Sequence, residues 1–299
     1  MSTYTPAKRK TIEQVIAKKV EDWLASLPSE LQMQARKNVI VTGGSIVSLY
    51  TGEPINDFDI YFKDKETTIA VAQHYAKKSP VPVEVKVQDE TNIKGEVESR
   101  VINYIASAGV YGSEQLPDEY TDAIQQSAVI EEQPVDKEAV EEERYRIQFI
   151  SRNAITLSDK MQIITRFYGD PEKIHQSFDF VHCMGYYDHG TGTVNVTVEA
   201  LEAMMSKTLV YKGSLYPIAS IFRMKKFVER GWRIGAGEML KMMWQISELD
   251  LTDTHLLIDQ LTGADMVYML SLIQALESAP EGTLINSQYV TEIIDRIFK

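Results

Sequence analysis

The sequence is short of cysteine: Cys183 is the only one among 299 residues, so a disulfide within the chain is impossible. This fits a reducing cytoplasm. Long apolar runs are also absent, since none approaches the roughly 20 residues that cross a bilayer. The polar residues 1–10 are not followed by the apolar segment of a signal peptide. We therefore expect a cytoplasmic protein without a membrane partner.

Positive charge is the second shortage. The chain has 31 Lys and Arg residues against 43 Asp and Glu residues, a formal net charge of −12. This argues against a surface coated in positive charge for non-specific nucleic-acid binding, and leaves a local basic patch open. The composition, 44% hydrophobic and 25% charged, is otherwise that of an ordinary globular protein. The length allows one large or two small domains, at about 150 residues each.

The order of the predicted elements indicates an α+β fold. Apolar residues at helical spacing predict a helix over 11–26, and a polar stretch near 89–143 is interpreted as an insertion or flap. Apolar or alternating runs predict strands at 38–42, 57–62, 81–87, 146–151, 154–157, 161–165, 178–187 and 193–198. Helical patterns follow. We therefore expect a head over 1–198, with helices flanking a mixed sheet, and an all-helical neck and tail over 199–299.

Two short motifs lie near the start of this head. Gly43, Gly44 and Ser45 separate a predicted strand from a predicted helix, and Asp57 and Asp59 begin the next strand. Residues two apart in a strand point to the same side, so the two carboxylates repel each other unless a cation lies between them. Such oxygen ligands suit Mg²⁺, which also takes substrate phosphates. The backbone N–H groups of a glycine turn at a helix start can bind those phosphates.

Each motif alone has a simpler explanation. Two aspartates two residues apart more often lie on an exposed strand face, and a Gly-Gly-Ser sequence is more often an ordinary turn. Their combination in a strand–turn–helix–strand context favours a site that binds a metal and a triphosphate. Such a site suits nucleotidyl transfer with two metal ions.

The run GGSIVSLYTGEPINDFDIYF, residues 43–62, resembles the head motif of tRNA CCA-adding enzymes and bacterial poly(A) polymerases. These belong to the DNA polymerase β-like nucleotidyltransferase superfamily. The run matches the family's glycine pair, glycine-proline turn and aspartate pair without a gap. One departure is that the family has Arg-Asp where this chain has Val47 and Ser48, and that arginine helps to hold the incoming nucleotide. The resemblance implies a polymerase β-like head with Asp57 and Asp59 as metal ligands.

A second segment, from Pro217 to Ile234, resembles the neck of the same enzymes. In that neck a proline opens a helix with spaced basic residues, followed by Phe and a Gly-aromatic-x-Ile sequence. Arg223 and Lys226 are three residues apart, so they share a helix face that could meet the triphosphate or an acceptor backbone. The alternative is a solvated helix surface. The family's base-selecting Glu-Asp-x-x-Arg motif has no convincing counterpart in this chain.

The superfamily commonly has a third carboxylate on a neighbouring strand. Asp179, flanked by two phenylalanines on the predicted strand 178–187, is the candidate for a third metal ligand that assists the nucleophile. An acidic residue in such surroundings is costly unless it is paired or bound to a metal. The alternative is a buried, hydrogen-bonded aspartate. Glu84 is a weaker candidate, and we expect His175 and His189 at the surface.

These observations predict a metal-dependent nucleotidyltransferase that moves an NMP from an NTP to an acceptor and releases pyrophosphate. The resemblance implies an RNA 3′-hydroxyl as the acceptor and Mg²⁺ in a two-metal site, with Mn²⁺ as a substitute. Three alternatives stay open: a nucleotide-binding or regulatory module without turnover, a transferase that modifies protein or a small molecule, and a structural protein. The overall pattern also resembles nucleotidyltransferase-like proteins of bacterial viruses.

Overall fold

The computed structural model describes most of the chain in two compact units. The described residues up to Ser206 form the first unit, and those from Lys207 onward form the second. The described residues are 6–91, 97–105, 128–129 and 144–250, with the single residues Leu256, Gln260, Gln288, Thr291, Glu292 and Asp295.

The first unit is built on a mixed sheet. In the described ranges its strands are β1 (Val39–Thr42), β2 (Phe58–Phe62), β3 (Val83–Thr91), β4 (Val97–Ile105), β5 (Ala128–Val129), β6 (Ile147–Ile150), β7 (Ala154–Leu157), β8 (Met161–Ile164), β9 (Tyr186–Asp188) and β10 (Thr193–Asn195). Eight of them form one sheet in the order β10-β9-β1-β2-β8-β7-β6-β5. In this sheet β2 and β8 are parallel and the other neighbours are antiparallel.

Helices flank this sheet, as the sequence predicts. In the described ranges they are α1 (Arg9–Leu24), α2 (Ser29–Asn38), α3 (Gly44–Thr51), α4 (Lys65–Lys78), α5 (Pro171–Ile174) and α6 (Val198–Ser206), with 3₁₀ helices at His175–Ser177 and Val181–Met184. The apolar stripe of α1, including Ile12, Ile16 and Val20, is fully buried in the main core with the inward residues of the strands. The predicted α+β class is therefore confirmed.

The polar stretch near 89–143 begins with ordered structure that the sequence did not predict. β3 continues to Thr91 and pairs with β4 in an antiparallel two-stranded sheet. The strand extends beyond the alternating residues Val81 to Val87 because the charged residues that follow form ion pairs with the partner strand, such as Glu90 with Arg100. Apart from β4 and 128–129, the rest of the predicted insertion lies outside the described residues.

Glu90 on β3 links this strand pair to the main sheet. Its carboxylate lies 2.8 Å from Nη2 of Arg166, 3.7 Å from Nη2 of Arg152 and 3.9 Å from Nε of Arg100. The side chains of Arg100 and Arg166 are only 9% and 8% exposed. Arg100 also pairs with Glu98. A carboxylate in this position compensates cations that are largely shielded from water.

Replacement of Glu90 by glutamine is expected to lower the free energy of unfolding by about 3 kcal/mol, because it removes the negative charge that faces the buried guanidinium groups of Arg100 and Arg166. Urea unfolding measures this. The matched control is Glu84→Gln on the same strand, since the Glu84 side chain is 66% exposed and forms a surface ion pair with Lys86. That control should change stability by less than about 0.5 kcal/mol. Equal effects of the two variants would show that the ion pairs of Glu90 do not stabilise the fold.

The second unit is mainly helical. It contains α7 (Pro217–Glu229) and α8 (Ala236–Ser247), together with a short parallel pair, β11 (Thr208–Leu209) and β12 (Arg233–Ile234). The strand pair corrects the expectation of an all-helical tail. Apart from single helical positions, the helical pattern predicted beyond residue 250 lies outside the described residues. None of the described helices is both long enough and apolar enough to cross a membrane.

Candidate active site

The glycine turn lies directly against one of the predicted carboxylates. β1 is buried along its whole length and ends at Thr42. Gly43 follows with φ 90° and ψ −148°, a backbone conformation that residues with a Cβ rarely adopt. A Cβ on Gly43 would lie only 3.1 Å from Oδ2 of Asp59. The turn therefore brings backbone next to the carboxylate, and α3 begins at the following residue, Gly44.

The two aspartates of the motif are near neighbours at the start of β2. Asp59 is the second residue of the strand and is half-buried, whereas Asp57 precedes the strand and is exposed. Burial, together with the negative charge of Asp57, raises the pKa of Asp59 to about 7. Two carboxylates that disfavour each other's ionisation are stabilised by a cation bound between them. The pair thus has the donor chemistry of a Mg²⁺ site.

Asp59 lies between two polar residues on the neighbouring strands. In the sheet register it pairs with Thr42 on β1 and with Gln162 on β8. Directly paired residues project from the same face of a sheet. Neither Thr42 nor Gln162 is part of the motifs that predicted the site. Gln162 carried one local signal, because it is the polar residue within the otherwise apolar strand Met161–Ile164.

His175 is a buried part of this region, which corrects the expectation that it lies at the surface. It is 5% exposed, and its Nε2 lies 2.8 Å from Oγ1 of Thr42. The Thr42 hydroxyl donates its single proton to the carbonyl oxygen of Gly185 at 2.8 Å, so His175 Nε2 is the donor to Thr42. His189 is also not a surface residue: its side chain is 6% exposed and its Nε2 lies 2.9 Å from Glu21.

Of the strand predicted over 178–187, only Tyr186 and Tyr187 lie in a strand, β9, and Asp179 is placed differently from the expectation. The chain forms 3₁₀ turns at His175–Ser177 and Val181–Met184, and Asp179 lies in a bend between them, 5% exposed. Within the described part of the chain, no group of three or more His, Cys, Asp or Glu side chains is arranged to hold a metal. Asp179 therefore does not lie on a strand beside Asp59, and its role as a third metal ligand stays a prediction.

The ring of Phe178, next to Asp179, does reach the site. Its Cε2 lies 4.0 Å from the position of a Cβ on Gly43, and its centroid is 5.0 Å from that of His175 and 6.2 Å from that of Tyr61. This ring borders the glycine turn on the face of the sheet that carries Asp59. Glu84, the weaker candidate for a third carboxylate, lies on β3 outside the main sheet and pairs with Lys86 at 2.9 Å.

The first turns of α3 contain one unsatisfied polar group and no charge. Ser45 is 1% exposed, and among the described residues its Oγ has no hydrogen-bond partner. A buried hydroxyl normally has such a partner, so this atom is suited to a bound group. Val47 and Ser48, which replace the family's Arg-Asp, are both buried. They bring no cation to this helix.

The predicted basic residues of the neck lie on a helix of the second unit. Arg223 and Lys226 are both on α7; Arg223 is half-buried and Lys226 is exposed. Pro217 is the first residue of that helix, and Phe227 packs against Trp232 with ring centroids 5.2 Å apart. The local structure of the neck segment therefore agrees with the resemblance, whereas a role for the two cations in nucleotide binding stays a prediction.

The first unit is thus an α+β head in which a glycine turn after β1 lies beside an aspartate pair at the start of β2, the arrangement expected from the resemblance to nucleotidyltransferases. The comparisons with known proteins narrow this class. The chain belongs to a family whose model, described as Gabija anti-defense 2 family protein, matches residues 14–207.

One curated relative is Gabija anti-defense 2 of Bacillus phage SPbetaL7. It is 27% identical over 106 residues, which are 35% of this chain and 26% of the relative. The matched segment thus spans about a quarter of the relative's length.

Solved structures of CCA-adding enzymes are also similar to this chain. The Thermotoga maritima enzyme complexed with tRNA is 12% identical with a TM-score of 0.40, covering 93% of this chain and 68% of that one. A CCA-adding enzyme complexed with ATP is 11% identical with a TM-score of 0.45, covering 97% and 68%. The Bacillus stearothermophilus enzyme with CTP is 12% identical with a TM-score of 0.35, covering 86% and 51%.

Proposed function

We propose that this chain is a metal-dependent nucleotidyltransferase that moves an NMP from an NTP to an acceptor and releases pyrophosphate. The observation that carries the proposal is the close approach of Gly43 to Asp59, whose Oδ2 would lie 3.1 Å from a Cβ added to that glycine, with Asp57 adjacent. A turn able to bind phosphate beside a carboxylate pair able to bind metal is the arrangement that nucleotidyl transfer needs, and this supports the proposal.

The proposed roles follow from the position of each group. Asp57 and Asp59 would hold Mg²⁺ or Mn²⁺, which supplies charge neutralisation at the reacting phosphate. The backbone at Gly43 and Gly44 lets phosphate oxygens approach closely, and the buried hydroxyl of Ser45 can donate to them. Two carboxylates are sufficient for Mg²⁺, because this ion completes its coordination with water and substrate phosphates. Asp179 is predicted to assist the nucleophile, and Arg223 and Lys226 are predicted to contact the triphosphate.

Two acceptors are favoured by different observations. The resemblance of the head and neck to tRNA-processing enzymes favours an RNA 3′-hydroxyl. The family description instead favours an acceptor within the Gabija defence, such as a protein side chain of that system. In either case an acceptor hydroxyl attacks the α-phosphate of the NTP and loses its proton to water. The bond from the α-phosphorus to the bridging oxygen breaks, and pyrophosphate leaves with that electron pair.

Incubation with each α-labelled NTP, Mg²⁺ or Mn²⁺, total RNA and the proteins of Gabija-containing cells tests this proposal. Label transferred to RNA or to protein is expected, and it identifies both the base and the acceptor class. The double variant Asp57→Ala/Asp59→Ala should lose all transfer, while the control Glu84→Ala, which removes an exposed carboxylate, should keep it. No transfer by the folded wild-type protein with any NTP, or equal transfer by the double variant, would contradict the proposal.

A binding module without turnover is the second candidate, and two observations favour it. The described residues contain no group of three carboxylates at the site, and Val47 and Ser48 bring no cation. Equilibrium binding of ATP to the Asp57→Ala/Asp59→Ala protein separates the candidates. A module that recognises nucleotide through the glycine turn would still bind and would give no product in the wild type, whereas an enzyme would lose both metal-dependent binding and product.

A further inference from the structure

A row of four polar side chains crosses the sheet at the level of Asp59. Thr42 pairs with Asp59, Asp59 with Gln162, and Gln162 with Thr156 on β7. Neighbouring strands are about 4.8 Å apart, and directly paired residues share a face. Gln162 is therefore the side chain on β8 that stands next to Asp59 on the same face of the sheet.

A hydrogen bond fixes the direction of the Gln162 amide. Its Nε2 donates to Oγ1 of Thr156 at 3.2 Å, and Thr156 lies on the side of Gln162 away from Asp59. Because the amide group is planar and its oxygen lies on the other side of the carbonyl carbon from its nitrogen, Oε1 is the end that can turn toward Asp59. The Gln162 side chain is half-buried, so its surroundings restrict rotation of the amide group.

We propose that Gln162 is the third protein ligand of the metal site at Asp57 and Asp59, through its carbonyl oxygen. This inference rests on the proposed function. Amide carbonyl oxygens are ordinary ligands of hard divalent cations. Gln162 lies on the strand next to Asp59, whereas Asp179 lies in a bend.

A neutral third ligand has two consequences. The site has two negative charges instead of three, so it binds a divalent cation weakly until the phosphates of a nucleotide add theirs. An amide also cannot accept a proton from the acceptor hydroxyl, so β8 provides no general base at this position. The nucleotide and the metal are therefore expected to bind together.

Titration of the purified full-length protein with Mn²⁺, followed by electron paramagnetic resonance of the free ion, tests the proposal without any turnover. Gln162→Glu is expected to bind Mn²⁺ about tenfold more tightly than wild type, and Gln162→Leu about three- to tenfold more weakly. Asp59→Asn marks the site and should abolish binding there. Gln148→Glu on β6, at an exposed position, is the control for an added charge elsewhere on the sheet and should bind as wild type does.

The outcomes distinguish a failure of the Gln162 proposal from a failure of the proposed function. If binding depends on Asp59 but neither Gln162 variant changes it, the metal site stands and Gln162 is not a ligand. The same conclusion follows if Gln162→Glu and Gln148→Glu tighten binding equally, because the effect is then one of charge alone. If the wild-type protein has no Asp59-dependent Mn²⁺ binding, with or without NTP, the proposed function fails and this proposal fails with it. Circular dichroism of each variant confirms that the fold is retained.

Discussion

Asp59→Asn is expected to abolish transfer and, in the same protein, to increase stability when metal is absent. The loss of activity should be about a thousandfold or more, because the group that binds the metal at the reacting phosphate is removed. Asparagine has nearly the same shape as aspartate, so the contact with Gly43 is kept. A residue selected for packing would show the opposite pattern, with lower stability on replacement.

The gain in stability follows from the sign of the pKa shift. The pKa of Asp59 is about 7 in the metal-free folded protein, against an ordinary value of 3.8. The folded state therefore holds the proton more tightly than the unfolded state does. The resulting stabilisation is fully present below the ordinary pKa and is lost as the pH rises to about 7, since ionising the half-buried group has a cost. Allowing for partial solvent screening, roughly 2 kcal/mol separates the two ends of this window.

Urea unfolding in EDTA at pH 4.5 and pH 8 measures this effect. We expect Asp59→Asn and wild type to differ little at pH 4.5, and the variant to be more stable at pH 8. Addition of Mn²⁺ and NTP at pH 8 should restore the stability of the wild-type protein and leave the stability of the variant unchanged. Glu84→Gln, which neutralises an exposed carboxylate, should follow wild type throughout. A variant that is less stable than wild type at pH 8 in EDTA would show that the ionised Asp59 carboxylate does not destabilise the folded protein.

Local patterns were sufficient to predict the parts of the site that are close in sequence. The buried run 39–42, the glycine turn and the alternation of 57–62 each depend on a few neighbouring residues, and the structure has them at β1, Gly43 and β2. The turn at Gly43 could also be predicted from the residue type, because residues with a side chain rarely adopt a φ near 90°.

The remaining parts of the site depend on contacts that no local pattern contains. Residues 178–187 are rich in apolar and aromatic side chains, which favours a strand, but His182 is buried from a 3₁₀ turn and Phe180 from the residue before that turn. Gln162 lies beside Asp59 only because β2 and β8 pair in parallel in one particular register. His175 contacts Thr42 across 133 residues of sequence. The polar neighbours of Asp59 could therefore not be identified from local sequence, and the role of Asp179 at the site stays a prediction.

Alanine at Gly43 and alanine at Gly44 are expected to have very different effects. Gly43 has φ 90°, and its added Cβ would lie 3.1 Å from Oδ2 of Asp59. Gly43→Ala should therefore lower stability by about 1–3 kcal/mol and displace the carboxylate, with loss of metal binding and transfer. Gly44 has no positive φ, and an added Cβ there meets no atom within 4 Å among the described residues. Gly44→Ala should leave stability unchanged or raise it by up to about 1 kcal/mol.

The matched pair also locates the triphosphate. The open space at Gly44 is where the proposed function puts phosphate oxygens, at the first turn of α3. Gly44→Ala should then weaken NTP binding while Mn²⁺ binding at Asp57 and Asp59 and the thermal midpoint stay as in wild type. Calorimetric titration with a non-hydrolysable NTP measures this directly. If Gly44→Ala binds nucleotide as tightly as wild type, the triphosphate does not approach this turn, and the glycine pair serves only to place Asp59.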